Sequence, residues 1–196
     1  ETNPESLDAK LILARFEYKN KNIDKADKIV NSILSERPGI FNAQMLKAEL
    51  LLFKKEFEQG LKILQKLEKE EPNSERVQYF LGLANIGLNN PDQAASYTAK
   101  AVELNPSYLK ARLLLSEIYM QQRSYDMAVN QVEEVLKITP GNTKALMILA
   151  DSSLGTGNIQ KAEKTYDKII DIDKNNAVAY FKKANIKASS QDFETA

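Results

Sequence analysis

Residues 75–108, ERVQYFLGLANIGLNNPDQAASYTAKAVELNPSY, form one copy of a 34-residue unit that recurs along the chain. The period is visible in five equally spaced prolines: Pro4, Pro38, Pro72, Pro106 and Pro140. With each proline at place 32 of a unit, the repeats are 7–40, 41–74, 75–108, 109–142 and 143–176, preceded by the tail of another unit at 1–6 and followed by a partial repeat at 177–196. This frame predicts one repeat domain without an internal linker.

Small residues recur at fixed places of the unit and support the same frame. Place 20 holds Ala or Gly throughout, at Ala26, Gly60, Ala94, Ala128, Ala162 and Ala196. Places 3 and 8 are also small in most units, beginning with Ala9 and Ala14. Two helices can approach closely only where side chains are small, while larger residues fill the rest of the seam. These columns therefore predict a tight helix-to-helix contact in each unit.

Each unit has the apolar spacing of two helices, as Leu11, Ile12 and Phe16 show for the first half of repeat 1. Place 16 separates the halves and mostly holds residues that can cap a helix start: Asn22, Glu56, Asn90, Ser124, Asn158 and Asp192. The second helix must stop before the proline of place 32, which disfavours helix in the preceding residue. We name the first helix of a unit helix A and the second helix B. Because one pair cannot bury its apolar faces alone, the sequence predicts an all-α solenoid of stacked antiparallel helix pairs.

The composition excludes most familiar enzyme chemistry. The chain has no Cys and no His, so it cannot form a thiolate nucleophile, a Ser/His/Asp triad or a Cys/His zinc site. Its 27 Lys and Arg balance 27 Asp and Glu, and this zero net charge gives no general attraction for nucleic acid. The longest apolar stretches, such as 50–53, are far shorter than the ~20 residues of a membrane-spanning helix. We expect no metal, no cofactor, no nucleic-acid partner and no membrane insertion by this segment.

Three patterns resemble chemical sites, and each lacks a required feature. Asp171 and Asp173 are spaced like the start of a calcium loop, but Lys182 stands where the loop needs a bidentate glutamate. The stretch from Gly155 to Gly157 follows a helix and lacks the Gly-Lys-Ser/Thr end of a phosphate loop, so we interpret it as the turn between helices A and B. Paired carboxylates can hydrolyse glycosides without histidine, but an open solenoid keeps them solvated and does not push their pKa values apart. The sequence therefore predicts a protein that is not an enzyme.

The unit, with small residues at places 8 and 20 and proline at place 32, resembles the tetratricopeptide repeat over essentially the whole chain. Repeats 3 and 4 are most similar to the family pattern, through Leu81, Gly82, Ala94, Ala101 and Pro106, and through Leu115, Tyr119, Ala128 and Pro140. The chain departs from that pattern at place 4, usually aromatic and here Lys10, Gln44, Gln78, Arg112 and Leu146, and at place 7, where Lys47 and Lys183 replace leucine. The resemblance implies a right-handed superhelical solenoid whose A helices line a concave groove that binds other proteins.

Under this resemblance, places 5 and 12 form an apolar stripe along the groove. Its members are Leu11, Tyr18, Met45, Leu52, Tyr79, Ile86, Leu113, Met120, Met147, Leu154 and Phe181. Charged residues at places 2 and 9 form the rim: Arg15, Glu49, Arg76, Lys110, Glu117, Lys144 and Asp151. The cochaperone subclass holds a terminal carboxylate with a cation at place 5, and this chain has none there, so we expect an apolar or amphipathic peptide. Two alternatives stay open: the stripe packs between adjacent A helices, and the charges form an ordinary solvated face.

We predict a non-catalytic scaffold for protein or peptide partners. The alternative is an assembly or spacer element that uses its ends and convex face in a larger complex. The degenerate units are also similar to those of bacterial envelope proteins, including exopolysaccharide-export lipoproteins, which favours a periplasmic or envelope location over the cytoplasm. The last pair is incomplete, so we expect a fragment of a longer chain that self-associates weakly through its C-terminal end, where Tyr180, Phe181 and Ile186 lack their usual cover.

Overall fold

The computed structural model describes residues 6–191, with side chains to residue 188, and this part of the chain forms eleven α-helices. The A helices are α1 (Leu7–Lys19), α3 (Phe41–Phe53), α5 (Glu75–Gly87), α7 (Leu109–Gln121), α9 (Thr143–Gly155) and α11 (Ala177–Gln191). The B helices are α2 (Ile23–Glu36), α4 (Phe57–Glu70), α6 (Pro91–Leu104), α8 (Tyr125–Ile138) and α10 (Ile159–Ile172). Each B helix ends at place 30, so the predicted all-α class and the stop ahead of place 32 are confirmed. The predicted positions of Pro4, Asp192 and Ala196 lie outside the described residues.

The helices pack in consecutive pairs. Each complete repeat pairs its A helix with its B helix, and α2, α4, α8 and α10 also contact the A helix that follows them. The chain divides into two compact units, one through Asn105 and the other from Pro106. Unit 1 contains α1 to α6 and unit 2 contains α7 to α11, and the single repeat domain expected from the sequence stays a prediction.

The turn from helix A to helix B has the same backbone in all five complete repeats. Place 15 has a left-handed φ each time: Lys21 (62°), Lys55 (63°), Asn89 (58°), Arg123 (57°) and Gly157 (77°). The next N–H bonds to the carbonyl five residues earlier, as Asn22 N does to Glu17 O at 2.9 Å, which closes helix A in a Schellman motif. Of the predicted side-chain caps at place 16, Asn158 accepts from the N–H of Lys161 at 3.1 Å, while the other four described ones start helix B without such a bond. The backbone motif therefore fixes this turn.

The side chain at place 4 closes the turn from helix B to the next helix A. In three successive repeats it donates to the carbonyl of the proline six residues earlier: Gln44 to Pro38 at 2.5 Å, Gln78 to Pro72 at 3.3 Å and Arg112 to Pro106 at 2.7 Å. A turn carbonyl needs such a donor when no helical N–H reaches it. The departure from the aromatic pattern at place 4 thus has a local structural reason.

The small residues at place 20 are buried between helices, as predicted. The described alanines of place 20, namely Ala26, Ala94, Ala128 and Ala162, are all fully buried. A Cβ added to Gly60 would lie 2.8 Å from Cδ2 of Leu52, so the Leu52 side chain would have to move to admit a larger residue. Larger side chains fill the rest of each core, with Leu64 and Leu67 in unit 1 and Tyr166 in unit 2.

Candidate functional site

The A helices of unit 1 present aromatic and aliphatic side chains to solvent. Helices α1, α3 and α5 contact one another in order. Phe53, at the end of α3, is 54% exposed, and its ring meets Tyr18 of α1 edge-on with centroids 6.3 Å apart. Ile86 of α5 is 36% exposed, and Leu52 and Tyr79 are half-buried. We name Tyr18, Leu52, Phe53, Tyr79 and Ile86 the unit 1 face.

Phe53 is the member of this face that sequence reasoning misses. It stands at place 13, whose described residues have no common character: Lys19, Phe53, Gly87, Gln121 and Gly155. No column therefore marks it. The available signal was local, since a large aromatic residue ends helix α3 immediately before the charged pair Lys54 and Lys55.

Met45 must be removed from the predicted stripe. Its side chain is fully buried in the core of unit 1, in one cluster with Leu64, Val77 and Leu81. Leu11, at the same place in α1, is half-buried and packs against the neighbouring cluster. Place 5 of these two helices therefore packs between helices, which is the structural alternative that the sequence left open.

The predicted rim charges of unit 1 form a linked cluster. Glu49 is buried and pairs with Arg76 of α5, so it is not an open rim residue. Burial lowers the pKa of the nearby Arg15, Arg76 lowers it further and Glu49 partly opposes both. Burial also raises the pKa of Tyr18, and the charge of Glu49 acts in the same direction. Glu49 thus pairs with Arg76, and Arg15 lies close enough for both charges to affect its pKa.

The stripe residues of α7 and α9 in unit 2 serve mainly in packing. Leu113 and Met120 are half-buried against the cluster that contains Ala128 and Leu149. Met147 and Leu154 pack in the same way against the cluster around Tyr166. The hydroxyl of Ser152 in α9 donates to Sδ of Met120 at 2.8 Å. These four side chains are half-buried, whereas Phe53 and Ile86 of unit 1 are exposed.

The carboxylates of the unit 2 rim are also paired. Glu117 Oε1 lies 2.8 Å from Lys144 Nζ of the next A helix. Asp151 accepts from the Tyr166 hydroxyl at 2.5 Å, and its Oδ1 lies 3.1 Å from Lys182 Nζ. Tyr166 is fully buried, and burial together with the Asp151 hydrogen bond raises its pKa far above the ordinary value. These contacts hold the carboxylates in ion pairs.

Three predicted residues near the edges of unit 2 differ in exposure. Lys110 is exposed on α7, and Phe181 is 65% exposed on α11 beside the exposed Tyr180. The prediction that Ile186 lacks its usual cover is wrong, because Ile186 is buried in the cluster with Ala162. The face of α11 that carries Ile186 is thus already covered by α10, and the exposed apolar surface of α11 is smaller than the sequence predicts.

The two lysines at place 7 each find a carboxylate on the preceding B helix. Lys47 Nζ lies 2.6 Å from Asp27 Oδ1, and the other oxygen of Asp27 accepts from Lys54 at 2.7 Å. Lys183 pairs with Asp167 of α10. The lysines therefore preserve helix stacking, although they depart from the family pattern.

The residue at place 21 is charged where the residue at place 7 of the following repeat is charged, and apolar where that residue is apolar. An acid precedes each lysine, with Asp27 before Lys47 and Glu163 before Lys183. An apolar residue precedes each leucine: Leu61 before Leu81, Ala95 before Leu115 and Val129 before Leu149. We name the contact between a B helix and the next A helix of one unit a join. In the structure Lys47 pairs with the acid at place 21 of the preceding helix, whereas Lys183 pairs with Asp167, four residues after Glu163.

No metal site or membrane span emerges from the part of the chain that the structure describes. Within it, no three Asp or Glu side chains are grouped so as to hold a metal ion. Nor is any described helix both long and apolar enough to cross a bilayer.

The 34-residue helix pair and its buried small columns define a helical repeat protein. Models described as tetratricopeptide repeat match residues 45–108, 81–143 and 121–186. These matches together cover more than half of the chain. The chain belongs to the tetratricopeptide repeat family.

Comparison with individual proteins supports the same fold. The human Superkiller complex protein 3 is 38% identical over 65 residues, which are 33% of this chain and only 4% of that protein. Among solved structures, YrrB, described as a protein of this family with an unusual peptide-binding site, is 21% identical with a TM-score of 0.73 over 93% of this chain and 94% of its own. A tetratricopeptide repeat protein from Parabacteroides merdae is 11% identical with a TM-score of 0.75 over 92% and 72%, respectively. These structural likenesses concern the fold alone.

Proposed function

We propose that the protein is a non-catalytic interaction scaffold and that its unit 1 face binds an apolar or amphipathic peptide segment. The observation that carries this proposal is the exposure of Phe53 and Ile86 on A helices that contact each other. Large apolar side chains that stay in water on adjacent helices favour a partner that covers them. Membership of a family whose repeats mediate protein interactions supports the same class of function.

The charges beside the unit 1 face favour a segment that also carries a carboxylate. Glu49 pairs with Arg76 and Arg15 lies nearby, so these three side chains together carry a surplus positive charge. Burial and the neighbouring Arg76 already disfavour the charged form of Arg15, which lowers its pKa. An acidic side chain of the partner would relieve that cost, since a nearby opposite charge favours the ionised form. The proposed ligand is therefore an amphipathic segment whose apolar residues contact Phe53 and whose acid reaches Arg15.

A catalytic role has no support from these side chains. The buried carboxylate of Glu49 pairs with Arg76, and Asp151 is held by Tyr166 and Lys182. Acid–base catalysis needs a carboxyl group whose pKa is shifted towards the working pH and a pocket that excludes water. Both carboxylates are instead engaged by neighbouring cations or a hydroxyl group on the faces of helices. The matched models are likewise repeats rather than enzyme domains.

Peptides selected from a displayed random library against the folded protein test the proposal. Their dissociation constants should rise about tenfold or more for Phe53→Glu and for Ile86→Glu, which corresponds to at least about 1.4 kcal/mol. The matched control is Ile138→Glu, since Ile138 of α8 is 55% exposed on a B helix and should leave binding unchanged. Circular dichroism verifies folding of every variant. Selected peptides that bind all three variants as tightly as the wild type would contradict the proposal.

The charge component has its own test. Arg15→Glu should weaken peptides that contain an acidic residue more than peptides in which that residue is replaced by glutamine. Arg123→Glu, on an exposed turn of unit 2, changes the net charge equally and controls for long-range electrostatics. Equal losses for Arg15→Glu and Arg123→Glu would show that Arg15 does not contact the ligand.

An assembly or spacer role is the second candidate, and the exposed apolar residues of α11 favour it. Tyr180 and Phe181 are about half or more exposed, so we propose weak self-association through this helix. Sedimentation velocity should show a concentration-dependent rise in mass that Phe181→Glu abolishes and Ile138→Glu preserves. A strictly monomeric wild type at high concentration would contradict this role. The envelope setting predicted from the sequence rests on resemblance alone, and subcellular fractionation of the source cell would test it.

A further inference from the structure

A small apolar depression lies between α2 and α4, two successive B helices of unit 1. It has a volume of about 300 Å³ and is lined by Leu34, Pro38, Gln44, Ile63 and Lys66. This is the lower end of the range for ligand pockets, about 300–1,000 Å³, so it suits one large side chain. The lining comes from repeats 1 and 2, which are both complete in the described part of the chain, and includes no residue of the unit 1 face.

The next pair of repeats shows what fills the equivalent position. There Tyr97 stands at place 23 instead of Ile63, and Glu68 stands at place 28 instead of Leu34. The ring of Tyr97 is half-buried and packs against the core cluster that contains Leu67. Burial and the charge of Glu68 both raise the pKa of its hydroxyl group. The protein thus places an aromatic ring where repeat 2 has only the shorter side chain of Ile63.

The buried lining residue, Gln44, has an acceptor without a donor. Its side chain is 7% exposed, and its Nε2 donates to the carbonyl of Pro38 at 2.5 Å. Its Oε1 is buried and accepts no hydrogen bond from the described residues. In repeat 4 the same two places satisfy each other, because Nη1 of Arg112 donates to Oε1 of Gln131 at 2.9 Å. A buried acceptor without a donor costs free energy, so an N–H group that enters beside Gln44 is favoured.

A cation stands at the edge of the depression. In the next repeat the equivalent lysine, Lys100, has its Nζ 3.7 Å from Oε1 of Glu68. Leu34 replaces that glutamate here, and Lys66 Nζ lies instead 3.7 Å from Oε1 of Glu70 in its own helix. An exposed ion pair of this kind contributes little free energy. The ammonium group of Lys66 can therefore turn towards an aromatic ring in the depression and form a cation–π contact.

We propose that this depression receives a tryptophan side chain of a partner protein. An indole ring supplies the aromatic surface that Tyr97 supplies in the next repeat. Its N–H is a donor for Gln44, and its face is the ring that a cation such as Lys66 prefers. This chain contains no Trp, so a second copy of it cannot supply the indole. The occupant is therefore a different protein, which docks on the B helices of unit 1.

A displayed peptide library with one fixed tryptophan and random flanks tests the proposal, with selection on the wild type and counter-selection on Ile63→Tyr. This variant places in repeat 2 the residue that repeat 3 has as Tyr97, so it should fill the depression in a folded protein, as circular dichroism verifies. Because the protein has no Trp, the emission of the peptide's own tryptophan reports binding by its shift to shorter wavelength. The dissociation constants should rise about tenfold or more in Ile63→Tyr, and equally when the tryptophan is replaced by alanine.

Matched variants locate the site. Ile138→Tyr adds the same side chain to α8, where Ile138 is 55% exposed, and should leave binding unchanged. Lys66→Gln should weaken binding about two- to fivefold, whereas Lys62→Gln removes the same charge from an exposed position of the same helix and should not. Phe53→Glu should leave all of these affinities unchanged, which separates this site from the unit 1 face.

Two results would overturn the proposal. The first is a selection that recovers no peptide with a preference for the wild type over Ile63→Tyr. The second is a set of selected peptides that bind as tightly with alanine in place of tryptophan. If in either case the wild type self-associates in sedimentation velocity and Ile63→Tyr makes it monomeric, the occupant of the depression is a second copy instead of a partner's tryptophan.

Discussion

The α2/α3 join and the α8/α9 join use the same places of the repeat but opposite chemistry. In the first, Asp27 accepts hydrogen bonds from Lys47 and Lys54. In the second, Val129 packs against the cluster that contains Leu149. Both joins bury an alanine completely at place 20. The alanine at place 20 is buried in both joins, while the pair at places 21 and 7 is ionic in the first and apolar in the second.

The largest expected effect comes from a polar residue in the apolar join. Val129→Asp should lower the free energy of unfolding by about 3 kcal/mol, because the carboxylate loses water and gains no cation. Urea unfolding followed by circular dichroism measures the change. Val129→Asn removes the same apolar groups without the charge and should cost clearly less. Equal costs for the two variants would show that the charge is not the cause.

A smaller loss is expected when one partner is removed from the polar join. Lys47→Leu should cost about 1 to 2 kcal/mol, because Asp27 keeps only Lys54 as a cation. The free energy of unfolding of the double variant Lys47→Leu with Asp27→Val should lie within about 1 kcal/mol of the wild-type value. The reason is that a buried ion pair can be replaced by apolar residues at little cost. The urea unfolding midpoints of the wild type, Lys47→Leu and the double variant measure both differences in stability. A double variant that is less stable than Lys47→Leu alone would contradict the equivalence of the two joins.

The turns between helices A and B provide a comparison in which the backbone is constant. Arg123 has a φ of 57° and Gly157 a φ of 77°. Arg123→Gly should raise stability by about 1 kcal/mol, because glycine adopts this region without strain, and Gly157→Ala should lower it by a similar amount. Opposite signs in thermal unfolding would confirm that both turns share one conformation. A loss of stability in Arg123→Gly would mean that its side chain contributes more than the strain costs.

The smallest expected effect is a difference in pH dependence between the joins. Burial opposes ionisation of Asp27, but hydrogen bonds from Lys47 and Lys54 outweigh it, so the pKa of Asp27 lies below its ordinary value. A lowered carboxyl pKa stabilises the fold above the pKa of the unfolded chain, about 3.9, and the gain disappears as pH falls through the folded value. Below pH 4, therefore, the wild type should lose more stability than the double variant of Asp27 and Lys47. Parallel acid-unfolding curves for the two proteins would contradict this origin of the pKa shift.

The sequence predicts what depends on local repetition. The period, the helix ends and the buried alanines follow from residues within one unit, and the structure confirms them. Exposure within a column was not predictable in the same way. Met45 and Phe181 share place 5, yet one is buried and the other is 65% exposed, because exposure depends on which neighbouring helices cover the place.

Ion pairs between repeats were also beyond the column analysis. The place of Glu49 in the repeat predicts a rim residue. In the structure it pairs with Arg76, which lies 27 residues later on the next A helix. The pairing of Asp27 with Lys47, 20 positions later, joins two repeats in the same way. Comparing place 21 of one unit with place 7 of the next would have revealed it, since the two columns change together.

A double-mutant cycle at the α8/α9 join tests the matching of places 21 and 7 most directly. Val129→Asp, Leu149→Lys and the double variant are compared by native-state hydrogen exchange of the amides in α9, which reports the local stability of this join. We expect each single variant to accelerate exchange and the double variant to recover at least about half of the lost protection, because the new pair reproduces Asp27 and Lys47. If the two losses simply add in the double variant, the residues at these places do not act as a pair, and the account of the joins is wrong.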